Sequence, residues 1–359
     1  MSDSPQTIDR LRSALGKLRD PENGRELGNT NQIESLAIEA GTVTGTVRLT
    51  THSWPIKDEF LLRAEEAIRG AYPEAQRVDV RIEPLDRPPV PKGQIGLPVR
   101  SVIAVGSGKG GVGKSTMAAS IAVHLARAGA KVGLMDADVY GPSVPHLLGL
   151  SGRPEVVNGK IRPIYFEHMP VMSMGFLVEP DQAVIWRGPM LHGSISQFLR
   201  DTYWGALDYL IIDLPPGTGD VALTLSQLVP LSGAVVVCTP QQVALLDAVK
   251  AIAMFRKVKI PVLGMVENMS GFICPNCGKR YDIFGHGGAR TKAEEMEVPF
   301  LGEMPLNMQL RQASDEGQLS AALQDPICQS AIDKIVRSMI GRLSQQAAAA
   351  PGGAALPVL

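Results

Sequence analysis

The stretch Gly108–Thr116 reads GKGGVGKST and restricts the fold of this chain more than any other feature. It matches the phosphate-binding-loop pattern G-x-x-x-x-G-K-[ST], with an additional lysine at Lys109. The apolar run Val102–Val105 predicts a strand before the loop, and Met117–Ala128 predicts a helix after it. A phosphate-binding loop needs this strand and this helix at its two ends, so the flanks favour a nucleotide site over a chance glycine-rich turn.

The residue types in the loop suit phosphate chemistry. Glycines let backbone N–H groups turn inward around a phosphate, and the helix that follows adds positive potential at its N-terminus. Lys114 neutralises phosphate charge, and the Ser115 hydroxyl is a ligand for Mg²⁺. The residues predicted to hold the nucleotide are Gly108, Lys109, Gly110, Gly111, Val112, Gly113, Lys114, Ser115 and Thr116.

Short, wholly apolar runs separated by helical patterns recur after residue 99. Such runs are typical of parallel strands that are buried on both faces. The predicted fold is therefore α/β, with a doubly wound, mostly parallel sheet of the P-loop NTPase type. The predicted strands are Val102–Val105, Val132–Met135, Tyr209–Ile212, Ala234–Val237 and Val262–Val266.

The chain before this sheet predicts a smaller folding unit. Residues 1–86 give the order α-β-β-α-β, a small α+β accessory domain, and 87–98 form a Pro/Gly linker. The strands of the accessory domain are predicted at Ile33–Glu39, Val43–Leu49 and Arg77–Glu83, and its second helix is predicted at Lys57–Ala71. The P-loop domain is expected to cover 99–345. Residues 346–359 lack periodicity and charge and predict a disordered tail.

Charge and hydropathy argue against several classes of function. With 35 basic and 36 acidic residues the formal net charge is −1, so no global field attracts the chain to nucleic acid or to an anionic membrane. No apolar run approaches the roughly 18–20 residues that span a bilayer, and the N-terminus has no apolar signal-peptide core. We expect a cytoplasmic protein with no nucleic-acid or membrane partner.

Acidic residues follow two of the predicted strands. Asp136 and Asp138 come after Val132–Met135, and Asp213 comes after Tyr209–Ile212. Ligands of open parallel sheets bind at the carboxyl ends of strands, which places these carboxylates where Mg²⁺ and its waters are held. Asp213 is the candidate Walker-B-type aspartate, and the alternative is a carboxylate that only caps a turn.

Cys274 and Cys277 form a C-x-x-C pair in the sequence CPNCG. This spacing lets two thiolates face one metal centre, and Gly278 permits the turn that aims backbone N–H groups at sulfur. Because two sulfurs leave a tetrahedral metal or a cluster half-ligated, a two-fold dimer would supply all four. A redox pair, half of a zinc knuckle and inert buried thiols are alternatives, and the motif alone does not separate iron from zinc. Cys238 and Cys328 stand alone and predict small core residues.

The loop and the acidic residues resemble the deviant Walker A class of ATPases, which includes MinD, ParA, the arsenite-pump ATPase and nitrogenase iron protein. The resemblance rests on Gly108–Thr116 with its extra lysine, on Asp136-Ala-Asp138 and on Asp213-Leu-Pro-Pro-Gly217. It implies that Lys109 acts in trans across a homodimer, that Asp138 positions the attacking water and that Asp136 lies near the metal. Together with Lys114, Lys109 and Asp138 are the expected catalytic residues.

The same resemblance implies that Asn268, which follows a predicted strand, hydrogen-bonds adenine. The chain contains no Asn-Lys-x-Asp sequence, the usual guanine reader. ATP is therefore the expected nucleotide.

With the cysteines included, the chain resembles the Mrp/ApbC family of iron–sulfur cluster carrier ATPases over residues 92–345. The matching segments are Lys92–Pro98, Gly108–Thr116, Asp136–Pro142, Asp213–Gly219, Asn268 and Cys274–Cys277. The resemblance implies a homodimer that binds a bridging [4Fe–4S] cluster through Cys274 and Cys277. It also implies that ATP hydrolysis controls delivery of the cluster, received from an assembly scaffold, to apo iron–sulfur client proteins.

Residues 1–86 are similar to the iron–sulfur-assembly-type accessory domain that is often fused to these carriers. Asp20-Pro21-Glu22 matches one signature of that domain, but Trp54 stands where its second signature has a cysteine. We therefore expect a docking module rather than a thiol-based cluster site.

Two other function classes are alternatives to cluster carriage. A MinD/ParA-like positioning ATPase would need a membrane or DNA surface, and an apolar stripe near the C-terminus is the candidate element, although such stripes more often pack on the sheet. The stripe consists of Ile332, Ile335, Val336, Met339, Ile340 and Leu343. An electron-transfer ATPase like nitrogenase iron protein would place single cysteine ligands on separated segments, a pattern that this chain lacks.

Overall fold

The computed structural model describes residues 5–139, 141–177, 188–217 and 219–349. Within these ranges the chain forms two compact units, and the larger is Pro88–Met339. The smaller contains the N-terminal residues up to Arg87 together with the residues from Ile340 on. The predicted limits differ from these, because they set residues 87–98 apart as a linker and assigned 340–345 to the P-loop domain.

The smaller unit has the predicted order α-β-β-α-β. Its elements are α1 (Pro5–Gly16), β1 (Ile33–Glu39), β2 (Thr42–Leu49), α2 (Lys57–Ala71) and β3 (Arg77–Pro84). Strand β2 is central, antiparallel to β1 and parallel to β3. The apolar faces of both helices are buried with the sheet in one cluster, as their helical spacing predicts.

The larger unit is built on a nine-stranded sheet. The strands of this unit are β4 (Val99–Gly106), β5 (Val132–Asp136), β6 (Glu155–Val157), β7 (Lys160–Arg162), β8 (Ile164–Phe166), β9 (Met169–Ser173), β10 (Leu207–Asp213), β11 (Gly233–Cys238), β12 (Val262–Ile273), β13 (Arg280–Tyr281) and β14 (Phe300–Leu306). The order is β13-β12-β11-β4-β10-β5-β9-β8, with β14 also paired to β12, while β6 and β7 form a separate hairpin. Seven strands from β14 to β9 pair in parallel, and β13 and β8 are antiparallel additions, so the predicted mostly parallel sheet is confirmed.

Helices cover the sheet. In chain order they are α3 (Lys114–Arg127), α4 (Val144–Leu147), α5 (Gly188–Asp201), α6 (Gly219–Leu228), α7 (Gln242–Lys257), α8 (Gly288–Glu295), α9 (Met308–Asp315), α10 (Leu319–Ala322) and α11 (Pro326–Ala349). Strands β4, β5, β10 and β11 are almost wholly buried because apolar side chains on both of their faces meet these helices. All five predicted strands are present, each extended by one to seven residues.

The apolar stripe near the C-terminus lies on α11 and is buried, with each of its six side chains 7% exposed or less. A Cβ atom at Gly302 of β14 would lie 2.8 Å from Ile335, so this part of the stripe packs on the sheet as expected. The disordered tail was predicted to begin at residue 346. This start is wrong, because α11 continues through residues 346–349. Residues 350–359 lie outside the described residues.

Among the described residues, we find no helix with the length and hydropathy that crossing a bilayer requires. Strands β10 and β11 flank β4 on its two sides, and neither of them follows β4 directly in the sequence. The loop after β4 therefore leaves the sheet, at the carboxyl end of β4, between two strands that come later in the chain. This edge is where open α/β sheets bind their ligands.

Candidate functional site

The loop after β4 is shaped by its glycines. Gly111 and Gly113 have φ angles of 80° and 77°, a left-handed conformation that other residues adopt only with strain. Gly108 lies so close to helix α7 that a Cβ atom there would be 2.0 Å from the backbone oxygen of Asp247. The predicted helix Met117–Ala128 is present as α3 but starts earlier, at Lys114 inside the motif, so the glycine turn leads directly into the helix N-terminus.

Lys114 is the centre of a buried charge cluster. Its Nζ donates a hydrogen bond to Asp213 Oδ1 at 2.5 Å and lies 3.2 Å from Ser115 Oγ and 4.0 Å from Asp138 Oδ2. The side chain is 6% exposed, and that of Asp213 is fully buried. The predicted strand ends therefore bring these carboxylates to the P-loop lysine.

Asp136 lies beside this cluster and is held by three donors. Its Oδ1 accepts the Asp138 N–H, and its Oδ2 accepts the Ser173 hydroxyl and the Val144 N–H, at 3.0–3.2 Å. Burial, with the charge of Asp213, raises the pKa of Asp136 to about 7. Burial also raises the pKa of Asp213, which the Lys114 charge opposes.

The donor set fits Mg²⁺. The second carboxylate oxygen of Asp213, Oδ2, is buried and has no hydrogen-bond partner among the described residues. A buried carboxylate oxygen without a partner is costly unless a ligand or water meets it. The hydroxyl of Ser115 is within reach of the same lysine, and both atoms are hard oxygen ligands of the kind that Mg²⁺ prefers.

A cavity of about 520 Å³ opens at this edge of the sheet. That volume is typical of small-molecule sites. The predicted residues that line it are Lys109, Gly110, Gly111, Gly113, Lys114, Ser115, Thr116, Asp138 and Asn268. Gly108, Val112, Asp136 and Asp213 are not in its lining, and the last three are buried.

Asn268 lines the cavity and also contacts the P-loop. Its Nδ2 donates to the backbone oxygen of Val112 at 2.9 Å. This second contact could not be predicted from the sequence, since the two residues are 156 positions apart. Lys109 is half-buried, and its Nζ has no ion partner within the described part of the chain.

Sequence reasoning missed the wall that faces the P-loop. Leu306, Asn307, Leu310 and Arg311 line the cavity from the end of β14 and the start of α9. Asn307 is the N-cap of α9, since its Oδ1 accepts the Leu310 N–H at 2.8 Å. An asparagine directly before a helical run is a helix-start signal, so the sequence could have indicated where α9 begins but not that this helix lines the cavity.

The cysteine pair occupies the tip of a hairpin formed by β12 and β13. The pairs Phe272–Tyr281 and Ile273–Arg280 close the hairpin. The turn is fixed by backbone bonds from Cys274 N to Lys279 O at 3.0 Å and from Gly278 N to Cys274 O at 2.8 Å.

Cys274 is half-buried and Cys277 is exposed. Hydrogen bonds from the backbone N–H groups of Cys277 and Asn276, and from the Cys277 thiol, lower the pKa of Cys274. By contrast, Cys238 and Cys328 are buried, and burial raises the pKa of each to about 12. The alternative of inert buried thiols is wrong for the pair, and the prediction of small core residues is confirmed for the other two.

Two family models match the chain. The model described as NUBPL iron-transfer P-loop NTPase matches residues 98–340, and that described as iron-sulfur cluster assembly protein matches residues 8–82. A Synechocystis protein named iron-sulfur cluster carrier protein is 44% identical over 350 residues, which cover 95% of this chain and 99% of that protein.

Solved structures give the same picture of the larger unit. A nucleotide-binding protein from Archaeoglobus fulgidus in complex with ADP is 44% identical, with a TM-score of 0.57, and the match covers 64% of this chain and 90% of that one. The cell division ATPase MinD from Pyrococcus furiosus is 23% identical, with a TM-score of 0.50, over 67% of this chain and 98% of that one. The second likeness shows the fold alone, and the predicted P-loop NTPase fold is confirmed.

Proposed function

The chain belongs to the family of iron-transfer P-loop NTPases, and from this premise we propose that it is an ATP-dependent iron–sulfur cluster carrier. One observation supports this proposal above the others. Strand β12 carries Asn268, which lines the nucleotide cavity, and ends at Ile273, directly before the accessible Cys274. A single strand thus joins a nucleotide site to a pair of metal-binding thiols.

We propose that the cavity binds ATP with Mg²⁺. Lys114 and the backbone N–H groups of the loop would hold the phosphates, with Lys114 exchanging its aspartate partner for phosphate oxygens. Ser115 and Asp213 would hold the metal, with Asp136 nearby, and Mg²⁺ would supply neutralisation of phosphate charge. The asparagine at 268 would contact the base.

Hydrolysis is assigned to Asp138, Lys114 and Lys109. Asp138 lines the cavity, so its carboxylate can orient a water molecule. Lys109 lines it too, and without an ion partner among the described residues its ammonium group is available to a second nucleotide across a homodimer. No arginine finger is evident in the sequence, so we expect slow turnover in the absence of a partner.

We propose that the cargo is a [4Fe–4S] cluster that bridges two copies of the chain. Cys274 and Cys277 supply two sulfur ligands, whereas such a cluster takes four. The lowered pKa of Cys274 favours the thiolate that binds iron. A second copy related by a two-fold axis would complete the set.

The remaining proposals concern partners and domains. Residues 99–345 would act as the carrier, which receives the cluster from an assembly scaffold and passes it to apo iron–sulfur proteins. Residues 1–86 would act as a docking module, because Trp54 replaces the thiol of the related domain. ATP turnover would be coupled to cluster transfer if the ATP-bound dimer and the ATP-free dimer had different affinities for the cluster.

Anaerobic reconstitution with iron and sulfide, followed by Mössbauer spectroscopy and light scattering, tests the carrier function. We expect a [4Fe–4S] signature, four irons per dimer, and loss of the cluster in Cys274→Ala but not in the matched Cys238→Ala. Stoichiometric iron in Cys274→Ala would overturn the site assignment. A monomer that retains the cluster would overturn the bridging geometry, and zinc in place of iron would indicate a structural metal.

A MinD/ParA-like positioning ATPase is the weaker candidate. The likeness to MinD extends to the fold only, and the apolar stripe that could have met a membrane is buried in α11. Nothing in a positioning role would use the exposed cysteine hairpin. Sedimentation with liposomes and ATP separates the two functions, and we expect no ATP-dependent binding.

A further inference from the structure

We propose that Asn268 is a positioning residue that couples the state of the P-loop to the cysteine hairpin through strand β12. This inference rests on the proposed function, since it concerns the connection between the nucleotide site and the thiols. It assigns Asn268 a role beyond contact with the nucleobase. Four features of the described residues support it.

The first feature is the contact with the P-loop. The Asn268 side chain is buried, 7% exposed, and its Nδ2 donates to Val112 O at 2.9 Å. Gly113 packs so closely on the same amide that a Cβ atom there would lie 2.2 Å from Nδ2. Because Gly113 and the Asn268 amide are in tight contact, a shift of the loop at residues 112–113 must move the Asn268 side chain or break its hydrogen bond to Val112.

The second feature is a fixed point directly before Asn268. Glu267 is fully buried, and its carboxylate accepts the backbone N–H groups of Gly287 and Ala289 at 2.9 and 2.7 Å. These bonds tie β12 to the start of α8. The part of β12 that precedes Asn268 therefore resists displacement. A movement of Asn268 passes more readily to the residues that follow it, which lead to the hairpin.

The third feature is the irregular backbone after Asn268. Met269 and Gly271 have φ angles of 58° and 70°, both left-handed. The ladder with β14 breaks between Asn268 and Phe272, so the three residues between them are released from regular pairing on that side. A segment of this kind bends more easily than the ladder on either side of it.

The fourth feature is the contact between this segment and the second leg of the hairpin. A Cβ atom at Gly271 would lie 2.6 Å from Arg280 Nε, and Arg280 pairs with Ile273 at the base of the cysteine turn. Ser270 Oγ lies 2.7 Å from Glu267 Oε1 and 2.8 Å from Glu303 Oε2. Movement of residues 269–271 thus reaches both strands that present the thiols.

The test measures alkylation of the thiols in the full-length, reduced, metal-free protein. Iodoacetamide labelling of Cys274 and Cys277, followed by mass spectrometry, gives their rates with and without saturating ATP and Mg²⁺. In the unsubstituted protein we expect ATP to change the rates at least about fivefold, the lower range of coupling between allosteric sites. In Asn268→Ala and Asn268→Asp, which both lose the donor to Val112, we expect less than about a twofold change.

Three controls make the outcome specific. Asn29→Ala changes an exposed asparagine outside the cavity and leaves β12 intact, and we expect it to keep the ATP response. Titration with a fluorescent ATP analogue establishes saturation for each variant, and light scattering establishes its oligomeric state. Asn268→Ser, which retains a shorter donor, should restore part of the response if the hydrogen bond carries the coupling.

The outcomes separate this inference from the proposed function. An unchanged ATP response in folded, ATP-saturated Asn268→Ala and Asn268→Asp would overturn the inference. So would the absence of any ATP response in the unsubstituted protein, because there would be no coupling to carry. Failure of the carrier function would instead appear as the lack of a cluster at Cys274 and Cys277 after reconstitution, a result independent of alkylation rates.

Discussion

Replacing Lys114 by methionine removes a buried cation from two buried aspartates. Its Nζ lies 2.5 Å from Asp213 Oδ1 and 4.0 Å from Asp138 Oδ2, and the two members of the closer pair are 6% and 0% exposed. Removing one member of such a pair leaves an uncompensated charge in a water-poor site, which typically costs about 3–5 kcal/mol. We expect the free energy of unfolding to fall by about this amount at pH 8, and ATP binding to be lost.

The loss of stability should depend on pH. Burial already raises the pKa of Asp213 above its ordinary value of 3.8, and loss of the opposing Lys114 charge raises it further. At pH values between 3.8 and this raised pKa, folding binds a proton, which costs more free energy as the pH rises. We expect a smaller loss at pH 5 than at pH 8.

Urea unfolding followed by circular dichroism at both pH values provides the measurement. Lys109→Met is a matched control on the same loop, since Lys109 has no ion partner among the described residues, and we expect a change within about 0.5 kcal/mol. The double variant Lys114→Met/Asp213→Asn should regain most of the stability but not ATP binding, because a neutral pair replaces the unpaired charge. A loss below about 1 kcal/mol for Lys114→Met, or an equal loss at both pH values, would refute the reasoning.

Three further predictions follow from the site and the hairpin. At pH 7 in native, metal-free protein, iodoacetamide should label Cys274 while Cys238 and Cys328 remain unmodified until the protein unfolds, because burial raises the pKa of these two to about 12; peptide mass spectrometry would contradict this if it found equal labelling. The pKa of Asp136 is raised from 3.8 to about 7, so the free energy of unfolding falls as the pH rises between these values, by up to about 1.4 kcal/mol per pH unit. In urea titrations, the free energy of unfolding of Asp136→Asn should therefore depend less on pH than that of the unsubstituted protein. Gly113→Ala places a side chain at a φ of 77° and within 2.2 Å of a buried amide, so we expect ATP affinity to fall at least about tenfold by calorimetry, from left-handed strain of roughly 1–2 kcal/mol and the clash; unchanged affinity would show that the loop relaxes.

The strands were predictable where periodicity and burial agree. The run Val102–Val105 is apolar on both faces and lies inside β4, and the same holds for the other four predicted strands. Strands β6 to β9 were not predicted, because β6, β7 and β8 have only three residues each, too few to establish a period, and β9 contains Pro170. Ser173, which holds Asp136, could not be identified without β9.

The site was predictable where one segment contains both the motif and its chemistry. The P-loop, the strand-end aspartates and the C-x-x-C pair fall in this class, since their spacing alone places them at a strand end or on a turn. The bond between Asn268 and Val112 joins positions 156 residues apart and depends on the order of strands, which periodicity does not give. The wall made by Leu310 and Arg311 was missed for the same reason.

The protruding cysteine turn makes the protein vulnerable to oxidants. Both sulfurs are within reach of solvent and of each other, and the Cys274 thiolate is the form that attacks peroxide. Its sulfenic acid would condense with Cys277, expelling water and removing both proposed ligands in a single event. In the proposed carrier function, these residues must therefore be kept reduced whenever they hold no cluster.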